Sequence, residues 1–235
     1  MVTTGQSKDG STNSTEVIDL ENAAATCQPL PDFKTQTYQA TGGLLNNKIP
    51  VICGGRFHEE ECNPLDGTIN STIDSQRDSA SVAVNGDLWV TGGGTESDSG
   101  NKSFFMKANG EITKGPDLPG AVTDHCIVSL NNNEFAIIGG NGALGFSGNT
   151  TWIYNFASQQ WTKGPELKLP RFSHACAIFK DIDDRKKIIV TGGLGRDTNS
   201  PTQTTEVLDF QDQNPAWIEG MLDNPNTIIL VLNCA

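Results

Sequence analysis

The sequence predicts an all-β fold assembled from a repeated unit of four short strands, and three observations support this. The segment ITKGPDL at 112–118 returns 49 residues later as WTKGPEL at 161–167. Four apolar runs each end in a pair of glycines, and no segment shows the 3.6-residue apolar period of a helix. Because near-identical segments recur in phase with the glycine pairs, whose first members are 38, 47 and 53 residues apart, one structural unit is built more than once.

The glycine pairs mark equivalent points of successive units. Each pair is followed by a polar loop, an alternating run, a hairpin turn and an apolar or aromatic anchor. A proline-containing connection and a further apolar run then lead to the next pair. This pattern predicts four short strands per unit, all joined by turns. The pairs are Gly54 and Gly55, Gly92 and Gly93, Gly139 and Gly140, and Gly192 and Gly193, and the clearest anchors are Trp161 and Trp217.

Four antiparallel strands repeated in this way predict a β-propeller, because one such sheet cannot cover both its faces and its copies must stack around an axis. The segments 137–140 (IIGG), 152–154 (WIY) and Trp161 resemble the kelch repeat, which has a Gly-Gly second strand, an aromatic third strand and a fourth-strand Trp. The resemblance implies a kelch-type propeller over nearly the whole chain. Its glycines would permit close approach of blades, and its Trp would fill the wedge between them.

The repeat divides residues 1–235, taken as a single propeller domain, into blades. Four complete four-stranded blades are predicted at about 37–73, 78–117, 121–166 and 171–219. A fifth blade would be shared between the termini, with residues 1–30 and 225–235 joining so that no sheet edge stays open. Kelch propellers usually have six or seven blades, so a fragment of a larger ring is the alternative. A closed ring is expected to be a monomer.

The charge of the chain bears on its partners. The formal net charge is −12 and no basic cluster interrupts the acidity, which disfavours nucleic acid and anionic lipid as partners. No run of about 18 apolar residues occurs, so no membrane insertion is expected. No signal-peptide pattern follows Met1, which leaves an intracellular protein or a chain that lacks its true start.

Cysteines and glycosylation motifs point toward an extracellular environment without deciding it. Cys53 and Cys62 fall at the ends of neighbouring predicted strands, so we expect a disulfide there, with two buried thiols as the alternative. Sequons stand at Asn13, Asn70, Asn101 and Asn149, about as many as chance would produce. Used sequons and a disulfide would indicate a secreted or cell-surface glycoprotein with a structural or adhesive role. A cytoplasmic adaptor is the alternative.

The sequence shows no catalytic constellation. The three His and two Tyr do not stand at metal-ligand spacing, and no phosphate-binding or nucleophile motif is present. We therefore expect no enzymatic activity, no metal and no cofactor. The kelch-like propeller of galactose oxidase holds copper through two Tyr and two His. Tyr38 and Tyr154 lie in different strand types here, with no neighbouring His pair, so descent from such an enzyme is disfavoured.

The expected function is that of a non-enzymatic protein-interaction module. Propellers present loops from every blade on one face, and the loops that follow the glycine pairs are the candidates. Arg56 and Arg196 occupy equivalent loops of an acidic protein, so we expect them to hold an acidic or polar partner segment. Plain solvated loop residues are the alternative. The candidate binding residues are Arg56, His58, Asp98, Asn141, Arg196 and Asp197.

Overall fold

The computed structural model describes residues 2–7, 10–16, 32, 36–56, 61–67, 71–73, 77–94, 100–142, 148–195 and 200–220. Within these ranges the chain forms β-strands joined by turns, with no helix. The described residues accordingly contain no helix of the length and hydrophobicity needed to cross a membrane. The protein is therefore an all-β fold in the part described.

A hairpin stands at the N-terminus, with β1 (Val2–Ser7) antiparallel to β2 (Gly10–Glu16). It falls within residues 1–30, which were predicted to contribute to a fifth blade. The other segments predicted for that blade, 17–30 and 225–235, lie outside the described residues. Of this region, the structure therefore describes one hairpin, in which β1 pairs with β2.

The remaining strands build four four-stranded antiparallel sheets and two short ribbons. The first sheet contains β3 (Thr41–Leu45), β4 (Ile49–Cys53), β5 (Glu61–Pro64) and β6 (Ser71–Thr72). The second contains β7 (Ala80–Val84), β8 (Asp87–Thr91), β9 (Ser103–Met106) and β10 (Ile112–Lys114). Within each sheet the strands follow one another in chain order.

The third sheet and its ribbon use β11 (Val122–Thr123), β12 (Cys126–Ser129), β13 (Glu134–Ile138), β14 (Asn141–Gly142), β15 (Thr151–Asn155) and β16 (Gln160–Lys163). The fourth uses β17 (Arg171–Phe172), β18 (Ala175–Lys180), β19 (Lys186–Thr191), β20 (Leu194–Gly195), β21 (Thr205–Leu208) and β22 (Trp217–Gly220). The ribbons pair β11 with β14 and β17 with β20. Each sheet is one blade, and the blades are numbered in chain order.

The first strands of the blades stand next to one another at the inside of the propeller. Strand β3 packs on β7, β7 on β12, and β12 on β18. No comparable packing joins β18 back to β3 among the strands described. The described residues therefore form a β-propeller arrangement of four blades, packed around their first strands.

Three apolar clusters fill the spaces between consecutive blades. The second and third blades enclose an aromatic group in which the buried Trp89 lies 5.7 Å from Phe135 and 5.7 Å from Tyr154, measured between ring centroids. Trp161 extends the group, with its ring centroid 4.9 Å from that of Tyr154. Aromatic rings in such contacts bury large areas, so these residues hold adjacent blades together.

The two anchor tryptophans also make polar contacts to the preceding blade. Trp161 donates a hydrogen bond from Nε1 to the carbonyl of Asp117 at 2.9 Å, and Trp217 donates to the carbonyl of Pro165 at 3.0 Å. Trp217 is 1% exposed, whereas Trp161 is half-buried. Each acceptor lies in one of the two near-identical segments, so these segments receive the anchor of the next blade.

The glycine pairs stand where the second strand of each blade ends, and all eight glycines have positive φ between 58° and 99°. The first glycine lies against the next blade: a Cβ on Gly139 would stand 2.8 Å from the carbonyl oxygen of Arg171. The second lies against its own blade, since a Cβ on Gly193 would stand 2.6 Å from the carbonyl oxygen of Phe172. Both the backbone conformation and the close approach therefore require glycine.

Two buried disulfides cross-link the described part of the propeller. The predicted bond between Cys53 and Cys62 is confirmed and joins directly opposed residues of β4 and β5 within the first blade. A second bond, between Cys126 and Cys176, was not anticipated from the sequence. It joins β12 to β18 and therefore ties the inner strands of two different blades.

Candidate functional site

One face of the propeller gathers two kinds of segment from every blade. The connection leading into the first strand lies beside the segment that follows the glycine pair. In the third and fourth blades these segments form the two ribbons. In the second blade Arg77 pairs with Gly94, and in the first blade the amide of Arg56 donates to the carbonyl of Tyr38 at 2.8 Å. We call this surface the axial face.

At the centre of the axial face, one residue from each blade forms a continuous chain of backbone hydrogen bonds. Gln39, Asp78, Asp124 and Ser173 all have left-handed φ, at 61°, 54°, 55° and 51°. The amide of Asp78 donates to the carbonyl of Gln39, that of Asp124 to Asp78, and that of Ser173 to Asp124, at 3.0, 2.8 and 2.9 Å. We call these four residues the axial arc.

The side chains of the axial arc are polar and contact one another across blade boundaries. Gln39 Nε2 donates to Asp78 Oδ2 at 3.1 Å. Asp124 accepts from Ser173 Oγ at 2.7 Å and from Thr123 Oγ1 at 3.0 Å. Two carboxylates therefore lie at the centre of the face, and each takes a donor from a neighbouring blade.

The two carboxylates differ in their electrostatic environment. Burial, the largest cause, and the charge of Asp124 together raise the pKa of Asp78 from 3.8 to about 7, against the opposing effects of Arg77 and of the hydrogen bond from Gln39. Asp124 accepts hydroxyl donors on both of its oxygens. The face thus holds one carboxyl group, that of Asp78, that changes charge near neutral pH.

Two histidines lie beneath this face and are buried between blades. Burial lowers the pKa of His125 to about 3, and burial, Arg171 and His125 lower the pKa of His174 to about 3. His125 Nε2 is 2.9 Å from Thr91 Oγ1, a buried contact between the third and second blades. Both imidazoles are therefore neutral packing groups.

A fully buried ion pair positions the fourth blade. Arg171 and Glu206 are each 0% exposed, and their Nη2 and Oε1 atoms are 2.8 Å apart. Arg171 also donates to the carbonyls of Gly192 and Thr204, while Glu206 accepts from the amides of Lys168 and Leu169. Both terminal nitrogens of Arg171 and both carboxylate oxygens of Glu206 have partners, while Arg171 Nε has none among the described residues, and the pair connects the segment before β17 to β21.

Some of the predicted binding residues lie on the axial face, and the others lie outside the described residues. Arg56 lies on the axial face with its guanidinium carbon 5.7 Å from the centroid of the Tyr38 ring, a cation–π contact. Asn141 is exposed there, and its carbonyl oxygen lies 3.3 Å from Thr123 Oγ1. The other four candidates, His58, Asp98, Arg196 and Asp197, lie outside the described residues.

The residues of the axial arc were missed by sequence reasoning. Two of the four are Asp, which tolerates left-handed backbone better than most residues. Gln39 and Ser173 are neither carboxylates nor residues that favour this backbone conformation, so no shared residue type identifies the set. Each stands two residues before the first strand of its blade, and alignment on that strand start would have collected all four. Alignment on the glycine pairs does not bring these four residues together. The hairpin between the first and second strands, which separates each of them from its glycine pair, differs in length from blade to blade.

In the described part of the chain, the asparagine of each sequon is half-buried. Asn101 and Asn149 are equivalent in the repeat: their carbonyls accept from the amides of Leu118 and Leu167, at 2.7 and 2.8 Å. Asn13 lies in β2, and Asn70 lies outside the described residues. Separately, the described residues contain no group of three or more His, Cys, Asp or Glu that could hold a metal ion.

Comparisons with known proteins support the fold. No family model matches this chain, and no curated protein sequence matches it. The solved structure of YjhT is similar, with a TM-score of 0.66 and 16% sequence identity over 83% of this chain and 68% of that one. At this level of identity, the similarity demonstrates a shared fold.

Proposed function

We propose that this protein is a non-enzymatic binding module that receives a polar segment of a partner protein on its axial face. The observation that carries the proposal is the axial arc, which gathers Gln39, Asp78, Asp124 and Ser173 from four blades. Loops on a rigid scaffold are the usual location of binding residues. Arg56 adds a cation at the edge of this face.

The proposal is tested with a random peptide library displayed on phage and selected against the intact protein. Peptides bound to the axial face should lose at least about tenfold in affinity, or about 1.4 kcal/mol, when Arg56→Glu and Asn141→Trp are combined. Ile182→Asp is the matched control, because Ile182 is 99% exposed in the turn between β18 and β19, away from the axial face. The proposal would be contradicted if the enriched peptides bound the double variant with unchanged affinity but lost affinity for Ile182→Asp.

A second proposed function is that of a secreted or cell-surface structural glycoprotein. Two buried disulfides favour it, because such bonds persist in oxidising compartments and are rare in the cytosol. Asn101 and Asn149 would then carry glycans at equivalent points of adjacent blades. The test measures the mass of the protein from its native source before and after enzymatic deglycosylation, together with a thiol count in denaturant. An unchanged mass would refute the glycoprotein proposal.

We also propose that the propeller is of the kelch type and that a fifth blade, drawn from residues 1–30 and 225–235, covers the outer face of the fourth. That face carries an aligned apolar row of Ala177, Ile189, Val207 and Ile218 across all four strands. The equivalent row of the third blade includes Ile153, which packs against the fourth blade. A closed ring should elute as a monomer and melt cooperatively, whereas aggregation with broad melting would refute closure.

A further inference from the structure

The axial arc contains an acceptor that no described residue satisfies. Gln39 Oε1 is buried and receives no hydrogen bond from the described residues, although Gln39 Nε2 donates to Asp78 Oδ2. A buried amide oxygen without a donor destabilises the folded state, because it has lost its hydrogen bonds to water without a replacement. A carboxylic acid facing an amide can supply the missing donor, because it accepts from the amide N–H with one oxygen and donates from the other.

The groups around Asp78 determine which of the two carboxyls holds a proton. From the third blade, Asp124 faces it as an anion whose two oxygens already accept hydroxyl donors. From the first blade, Gln39 contributes a neutral amide, and from its own connection Arg77 contributes the opposing positive charge. Asp78 has a single donor and an anionic neighbour, so the proton resides on Asp78.

We propose that Gln39, Asp78 and Asp124 form a proton-operated latch between the first three blades. With a proton, Asp78 both accepts from and donates to Gln39, which closes the contact between the first and second blades. Without it, Gln39 Oε1 loses its donor and Asp78 repels Asp124 across the contact between the second and third blades. The latch acts through side chains of the axial arc, at the two blade boundaries that Asp78 faces.

The direction of the pH effect follows from the pKa of Asp78, which folding raises from 3.8 to about 7. Because the folded chain holds the proton more tightly, the contribution to stability is complete below pH 3.8 and is lost as pH rises through 7. The shift corresponds to proton binding up to on the order of a thousandfold tighter than in the unfolded chain. Solvent screening at a partly exposed site reduces that figure.

The test compares thermal unfolding of the intact protein at pH 5.5 and pH 8.5 in wild type, Asp78→Asn, Asp124→Asn and Asp183→Asn. Asp78→Asn retains the shape and donor of the protonated acid, so the change in its melting temperature from pH 5.5 to pH 8.5 should be more favourable than the change that wild type shows. Asp183→Asn, at an exposed turn, is the matched control and should behave as wild type. Superimposable pH profiles for wild type and Asp78→Asn would overturn the proposal.

A second measurement keeps the proposal testable if Asp78→Asn fails to fold. Carbon-13 NMR of the side-chain carboxyls should show Asp78 titrating near pH 7 in wild type. In Asp124→Asn the same midpoint should move to lower pH, because the repelling charge is gone. An Asp78 midpoint near 4 in wild type, or one that Asp124→Asn leaves unchanged, would refute the latch.

Discussion

Removal of the disulfide between Cys126 and Cys176 should destabilise the propeller more than removal of the one between Cys53 and Cys62. The perturbation is the double substitution Cys126→Ala with Cys176→Ala, and its control is Cys53→Ala with Cys62→Ala. All four residues are buried, at 0–6% exposure, so the two pairs lose similar packing. The pairs differ in the length of chain that each closes, 50 residues against 9.

Loop length sets the expected magnitude. A cross-link removes conformational entropy from the unfolded chain in proportion to the logarithm of the loop that it closes. This relation gives about 4 kcal/mol for the bond between blades and about 2.6 kcal/mol for the bond within the first blade. For a chain of this size, the corresponding decreases in melting temperature are about 8–16 °C and about 5–10 °C.

The assay is equilibrium unfolding in urea at neutral pH, followed by tryptophan fluorescence and circular dichroism without reductant. The four tryptophans include Trp89, Trp161 and Trp217, which report on contacts between blades. The variant lacking the bond between blades should unfold at lower urea than the variant lacking the bond within a blade. Equal midpoints, or the reverse order, would refute the argument that the longer closed loop confers the greater stability.

Two further predictions concern the packing beneath the axial face. Gly139→Ala should lower the free energy of unfolding by about 1–3 kcal/mol more than Gly67→Ala does. Both glycines have left-handed φ, but only at Gly139 would a Cβ contact neighbouring atoms. Urea unfolding measures the stability of both variants. Equal decreases in the free energy of unfolding would contradict the role assigned to packing at Gly139. His125 and His174, with pKa values lowered to about 3, contribute stability above pH 6.5 that is lost as pH falls toward 3, by up to about 1.4 kcal/mol per pH unit each. His174→Gln should therefore flatten the stability profile below pH 6.5, and an unchanged slope would contradict neutral burial.

The repeat could be predicted from sequence because its signals are local. Apolar runs, turn residues and the glycine pairs lie close together in the chain, and each reflects a backbone requirement of one strand or one turn. The bond between Cys53 and Cys62 was predictable for the same reason, since only 9 residues separate them. The candidate loops followed from the glycine pairs, although the structure describes only Arg56 and Asn141 among the six proposed residues.

The axial arc and the bond between Cys126 and Cys176 could not be read in this way. Both bring together residues from different blades, 50 residues apart for the disulfide and 39 for Gln39 and Asp78. Their contacts depend on how the inner strands stack, and no local pattern encodes that distance.

The sequence by itself determined the strands, the turns and the number of complete blades, because the strands of each sheet pair with one another within about 45 consecutive residues. The tertiary structure alone decided which side chains meet at the centre. It placed Asp78 between Gln39 and Asp124, and burial beside a second carboxylate then raised the pKa of Asp78 to about 7. The raised pKa of Asp78 therefore depends on the stacking of the blades, because the same aspartate in the unfolded chain would titrate near 3.8.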